Sequence, residues 1–170
     1  MFAWFKREKN ERRRDNARAL YDAVHQSLGD DDDVHARIVA SIAALLLCVA
    51  YADGEYHPQE EALLRATLAK IHGLDAGGVE AIARVLREHT VLITSAEASS
   101  YGRELLDLTD DDFRLELVDV LVDVAAADGE ITVAETNLLR EATRSLGLPQ
   151  AAYNASQARH RDKLSVLKGS

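Results

Sequence analysis

The chain has 170 residues, a formal net charge of −9, 47% hydrophobic and 5% aromatic residues, two prolines and a single cysteine. That is one domain's worth of chain with enough apolar content for one core, and the lone Cys48 excludes a disulfide framework and a cysteine-based zinc site, pointing to a reducing, cytoplasmic setting. Residues 1–14 hold six Lys or Arg against two Glu, and residues 159–168 hold four against one Asp; taking their +4 and +3 from −9 leaves −16 on the remainder, a body that repels nucleic-acid backbones and excludes nucleic acid as a partner.

The chain is rich in helix-forming Ala, Leu, Glu and Arg, and no segment alternates apolar and polar residues over a strand's length. It is read as all-α, a compact single-domain bundle of about seven to eight helices. No stretch reaches the roughly 20 uninterrupted apolar residues that span a bilayer, and Met1 to Phe5 is too short for a signal-peptide core.

In chain order, Phe2, Trp4 and Phe5 stand beside Lys6, Arg7, Lys9, Arg12, Arg13 and Arg14. This segment either sits shallowly at an anionic membrane surface or docks its aromatics on the helical body, the basic run being a solvated helix start. Ala17, Leu20, Tyr21, Val24 and Leu28 recur at helical spacing up to Gly29, and the run from Asp30 to Asp33 precedes and caps the next helix. A second helix is predicted from about Val34 to Ala52 and a third from about Pro58 to His72.

Val79, Ile82, Val85, Leu86, Leu92 and Ile93 then predict one long helix, with Gly77-Gly78 loosening its start. A short helix is expected around Tyr101 to Leu106, and Thr109 with Asp110, Asp111 and Asp112 begins an apolar helix through Leu115, Leu117, Val118, Leu121, Val122 and Val124. After Pro149 a final helix offers Tyr153, Leu164 and Leu167 for packing, and the tail frays at Lys168-Gly169-Ser170. The organisation expected is an amino-terminal segment and first helix (1–32), a helical domain (33–150) and a carboxy-terminal helix with a basic tail (151–170).

Inside the domain one unit occurs twice, over about 38–74 and 114–148. Ala52-Asp53-Gly54-Glu55 and Ala127-Asp128-Gly129-Glu130 each end an apolar helix; Glu60 and Glu135 follow at equal spacing, then Leu63-Leu64-Arg65 and Leu138-Leu139-Arg140, and Gly73-Leu74 and Gly147-Leu148 close the two arms.

The acidic turn admits two physical explanations. In the first, the glycines end their helices in a left-handed conformation and the glutamates only cap the next helix: Thr132 to Glu135 fits a capping box, and His57-Pro58-Gln59-Glu60 puts proline at the first helical position. In the second, the carboxylates face one another and hold a hard cation.

Against a calcium-binding EF-hand loop, the glycines fall on the invariant glycine, Asp53 and Asp128 before it, and Glu60 and Glu135 on the closing glutamate. The leading ligand positions carry Val49 and Tyr51, or Val124 and Ala126, and offer no carboxylate. Missing oxygens would come from backbone, water or the other repeat. Cys48 stands where the second copy has Asp123, which with Asp119 either adds ligands or forms a solvated stripe.

The doubled A-D-G-E turn, the glutamate beyond it, the L-L-R arm and the helical linker resemble the TerB-like family over about residues 33 to 150. The family includes the tellurite-resistance protein TerB and the amino-terminal domain of a membrane-anchored DnaJ-like co-chaperone. The resemblance implies two related helical halves and a divalent-metal site, Ca²⁺ or Mg²⁺, at Asp53, Glu60, Asp128 and Glu135, with Glu55 and Glu130 nearby. It further implies a tellurite or stress response exerted through contacts with other proteins near the membrane, and no catalytic reaction. No His-Pro-Asp tripeptide occurs, so direct co-chaperone action is not expected.

No enzyme motif appears either. The histidines show no ligand spacing, Ser99-Ser100 has no paired base nearby in sequence, and no glycine-rich phosphate loop is present. The expected protein is a cytoplasmic, membrane-associating interaction module, or a metal-free helical scaffold whose acidic turns are caps.

Overall fold

A computed structural model describes residues 2–29, 32–89 and 95–164. Among these it is all-α: α1 Phe2–Leu28, α2 Asp33–Ala50, α3 Pro58–Leu68, α4 Ala76–Glu88, α5 Ser95–Leu108, α6 Asp111–Ala125, α7 Val133–Ser145 and α8 Gln150–Gln157, followed by a 3-10 segment, Ala158–Lys163. The side chains of Phe2, Trp4, Phe5, Lys6, Lys9 and Arg13 lie outside what is described, as do Asp30, Asp31, Leu92, Ile93, Leu167 and the tail from Lys168 to Ser170.

The core is organised around α2. After Arg37 this helix carries no charge, and every residue from Val39 to Ala50 is buried. A helix apolar on all sides must be surrounded, and α2 packs against α1, α3, α4, α5, α6 and α7. By length and composition it could cross a membrane, but 72% of it is buried inside this bundle.

Aspartates start three of the helices by accepting orphan amides. Asp32 accepts from Val34 N–H at 3.0 Å and His35 N–H at 3.2 Å, Asp75 from Gly78 N–H at 2.8 Å, and Asp110 from Phe113 N–H at 2.9 Å. The basic run belongs to α1, where exposed Arg7–Glu11 and Arg12–Glu8 pairs, at 3.2 and 2.6 Å, lie one turn apart.

Two expectations are corrected. Gly77 and Gly78 do not loosen α4; they form its first turn, and a Cβ on Gly78 would stand 3.0 Å from Ser27 Cβ, so the missing side chain lets α1 approach closely. α5 is a full helix and not the short one expected, because its buried stripe is Ala98, Gly102 and Leu105, mostly too small to register as apolar periodicity.

Asp119 and Asp123 form a solvated stripe, their side chains 53% and 40% exposed, and they pair with the carboxy-terminal segment. Arg159 reaches them at 3.2 and 3.3 Å, and His160 Nε2 lies 2.7 Å from Asp123 Oδ1. The 3-10 segment is thereby latched to α6.

Candidate metal centre

The two acidic turns fold alike. Where α2 ends, Gly54 N–H donates to Tyr51 O at 3.1 Å; where α6 ends, Gly129 N–H donates to Ala126 O at 3.1 Å. The glycines take φ of +87° and +101°, a region that strains any residue bearing a Cβ. Asp53 Oδ1 then accepts from Glu55 N–H at 2.9 Å and Asp128 Oδ1 from Glu130 N–H at 3.0 Å. One oxygen of each aspartate is thus spent locally, and Oδ2 remains.

The glutamates follow the same division. Each is the third residue of its helix: Glu60 Oε2 accepts from His57 N–H at 3.1 Å, and Glu135 Oε2 accepts from Thr132 N–H at 2.7 Å and from the Thr132 hydroxyl at 2.9 Å. The capping explanation therefore accounts for one oxygen per glutamate. Glu60 is 0% and Glu135 2% exposed, and the two carboxyls lie within hydrogen-bonding reach of each other.

An ionised carboxylate only accepts hydrogen bonds, so this pair cannot satisfy itself without a proton or a cation. Glu60 Oε1 is buried with no hydrogen-bond partner among the described residues. Burial pushes the Glu60 carboxyl up to about 9 against the counteracting His57 amide, helped by Glu135 and by the charge of Asp128. Burial also raises Glu135, against the Thr132 amide, with Asp53 adding to the rise. Each glutamate thus feels the aspartate of the opposite half.

The aspartates form the rim, their side chains 20% and 19% exposed. Between them sits His57, its Nε2 3.5 Å from Asp128 Oδ2, 3.6 Å from Glu55 Oε2 and 3.9 Å from Asp53 Oδ2. By sequence His57 reads as a helix-start residue only; its ring Nε2 also turns to the acids of both halves. The usable signal was its place between Asp53 and Glu60, where the second copy has Thr132. Glu55 and Glu130 are exposed.

Asp53, Glu60, Asp128 and Glu135 are therefore brought to one place by the pseudo-symmetric packing of the halves. No group of three or more His, Cys, Asp or Glu side chains among the described residues forms a ready-made ligand set. The donors fit a hard divalent cation in kind, being carboxylate oxygens, and the orphaned Glu60 oxygen marks where positive charge is wanted.

The halves differ in their surroundings. Ile131 N–H donates to Lys163 O at 2.7 Å, Ile131 forms a parallel bridge with Leu164, and Lys163 Nζ donates to Ala126 O at 3.2 Å. The counterpart of Asp123 in the first half, Cys48, is buried in the core, and burial pushes its thiol up to about 12, so it is held protonated and unreactive.

A family model described as "Tellurite resistance protein TerB" matches residues 40–158. No curated protein and no solved structure matches the chain.

Proposed function

The chain belongs to the TerB family, and from that premise we propose that it is a divalent-metal-binding interaction module whose cation is held by Asp53, Glu60, Asp128 and Glu135. The observation that carries this reading is the buried, unpartnered Glu60 Oε1 facing a second buried glutamate from the other half. Natural cores avoid such pairs, because burying unsatisfied acceptors is costly. A bound Ca²⁺ or Mg²⁺ supplies the positive charge that lets both carboxyls ionise at neutral pH.

The chain's own residues do the rest. Glu60 would give up the proton that burial holds on it, Asp53 and Asp128 would offer the oxygens not used by their turns, and His57, which faces the aspartates, would make way or join them. A cation held there would crosslink the two turns, fix the starts of α3 and α7 relative to each other and present a defined surface to other proteins. The family's name connects this module to tellurite resistance, and we extend that to a stress response in which residues 1–14 bring the acidic body to an anionic membrane surface.

A second reading, a metal-free scaffold, is favoured by the complete capping box at Thr132 and Glu135. Thermal melts in Ca²⁺, Mg²⁺ or Mn²⁺ separate the two. Saturating metal at about 100 times its dissociation constant adds about 2.7 kcal/mol if the site binds. No calorimetric heat and no shift at millimolar metal leaves the scaffold reading standing.

A further inference from the structure

Between α7, α8 and the segment beyond them lies a cavity of about 430 Å³. Its cations are Arg140 and Arg161, its neutral polar groups Thr136, Asn154 and Gln157, and its carbon wall Ala158 and Leu164; no carboxylate lines it. That is unusual for a chain of net charge −9. Arg65 pairs with Glu61 and Glu80 and Arg159 with Asp119 and Asp123, whereas Arg140 and Arg161, like Arg84, Arg103 and Arg144, have no carboxylate partner among the described residues; what distinguishes these two is that they line one cavity.

One of the two cations is held ready. The Arg140 guanidinium lies over the Tyr153 ring, 5.7 Å from its centroid, and Tyr153 is fully buried, so part of the ordering cost of that side chain is met before any ligand arrives. Gln150 Nε2 donates to Asn154 Oδ1 at 3.4 Å, which leaves the Asn154 amide N–H groups to donate.

Two guanidiniums match an anion of nearly two charges, such as a phosphoryl group at about −1.5 to −2, better than a singly charged carboxylate. The volume far exceeds a lone oxyanion, since a water occupies about 30 Å³ of the liquid, and the Ala158–Leu164 wall suits carbon. We propose that this cavity binds a small organic phosphate monoester, its phosphoryl group between Arg140 and Arg161 and its organic body against Ala158 and Leu164.

Phenyl phosphate is the probe, titrated into the full chain and followed by amide chemical shifts and calorimetry. The expected result is saturable one-to-one binding with shifts clustered at Thr136, Asn154 and Gln157, about tenfold weaker in Arg161→Gln. Arg161 is exposed and has no carboxylate partner among the described residues, so this variant keeps the fold, checked by circular dichroism; Arg140→Gln should weaken binding as well. Benzoate, with the same ring and one charge, should bind about tenfold or more weakly. Absence of saturable shifts, equal affinity for benzoate, or undiminished binding by Arg161→Gln overturns the proposal. So does binding confined to vesicles containing phosphatidic acid with none to phenyl phosphate in solution.

Discussion

Glu60 and Glu135 meet across the internal duplication as two buried carboxyls, each tied by one oxygen to the amide three residues before it and facing the other with what remains.

Exchange of that acid for its amide is the most direct probe of the pair. Glu60→Gln keeps an acceptor for the His57 amide and gives Glu135 an N–H donor, so the metal-free fold at pH 7 should stay within about 0.5 kcal/mol of wild type. The metal-induced rise in Tm should vanish. A variant that still responds to Ca²⁺ or Mg²⁺ like wild type removes Glu60 from the ligands.

Acidity gives a second readout. Glu60 holds its proton in the fold up to about 9, far above the ordinary 4.5, so the folded state binds more protons than the unfolded one between those values. Its stabilising contribution is complete below the unfolded value and is lost as pH rises through the folded one. Metal-free stability, from urea midpoints, should therefore fall from about pH 5 to pH 9, and added metal or Glu60→Gln should flatten the slope. Metal affinity should climb over the same range, because a proton leaves when the cation binds; an affinity flat in pH contradicts the shared proton.

The turns themselves can be tested without touching a carboxylate. A Cβ added at Gly54 or Gly129 meets nothing within 4 Å, yet both have φ near or above +90°. Gly129→Ala should cost about 1 to 2 kcal/mol from backbone strain alone, and Gly54→Ala a similar amount. Equal stability of wild type and either variant in urea would mean the left-handed turn is not retained in solution.

Gly102 poses the opposite case, favourable backbone and no space. In a helix interior Gly→Ala ordinarily gains up to about 1 kcal/mol, but here the Cβ would stand 1.8 Å from Ser145 Oγ and 2.7 Å from Ser145 Cβ. Overpacking should win, with a loss of about 1 to 3 kcal/mol. Adding Ser145→Gly should recover part of it in a double-mutant cycle.

The latch on α6 predicts a local effect. Asp123→Ala removes the acceptor of His160 and one of Arg159, so residues 158–164 should become sensitive to proteolysis and the Ile131 amide, bonded to Lys163 O, should exchange faster with solvent. Unchanged exchange at Ile131 would show that the backbone bridge does not depend on the side-chain contacts.

Much of this was readable in the chain. The charge-free run of α2 announced a central helix because nothing but a surrounded position suits it, and the doubled A-D-G-E pattern located both glycine turns through spacing alone. What stayed hidden depended on partners distant in sequence. Gly78 and Gly102 look like helix weakeners until Ser27 and Ser145 are seen against them. The aim of the His57 ring depends on Asp128, 71 positions away, and the roles of Asp119 and Asp123 on a tail segment whose pairing no local pattern encodes.

The tie between Ile131 and Lys163 gives the described part of the carboxy-terminal segment mechanical purchase on the second copy of the duplicated unit. A pull on that segment reaches the Asp128–Glu135 corner through the Ile131 amide, the Lys163 ammonium on Ala126 O and the contacts of Arg159 and His160 with α6. Two copies of one sequence pattern are in this way fastened differently at their acidic corners.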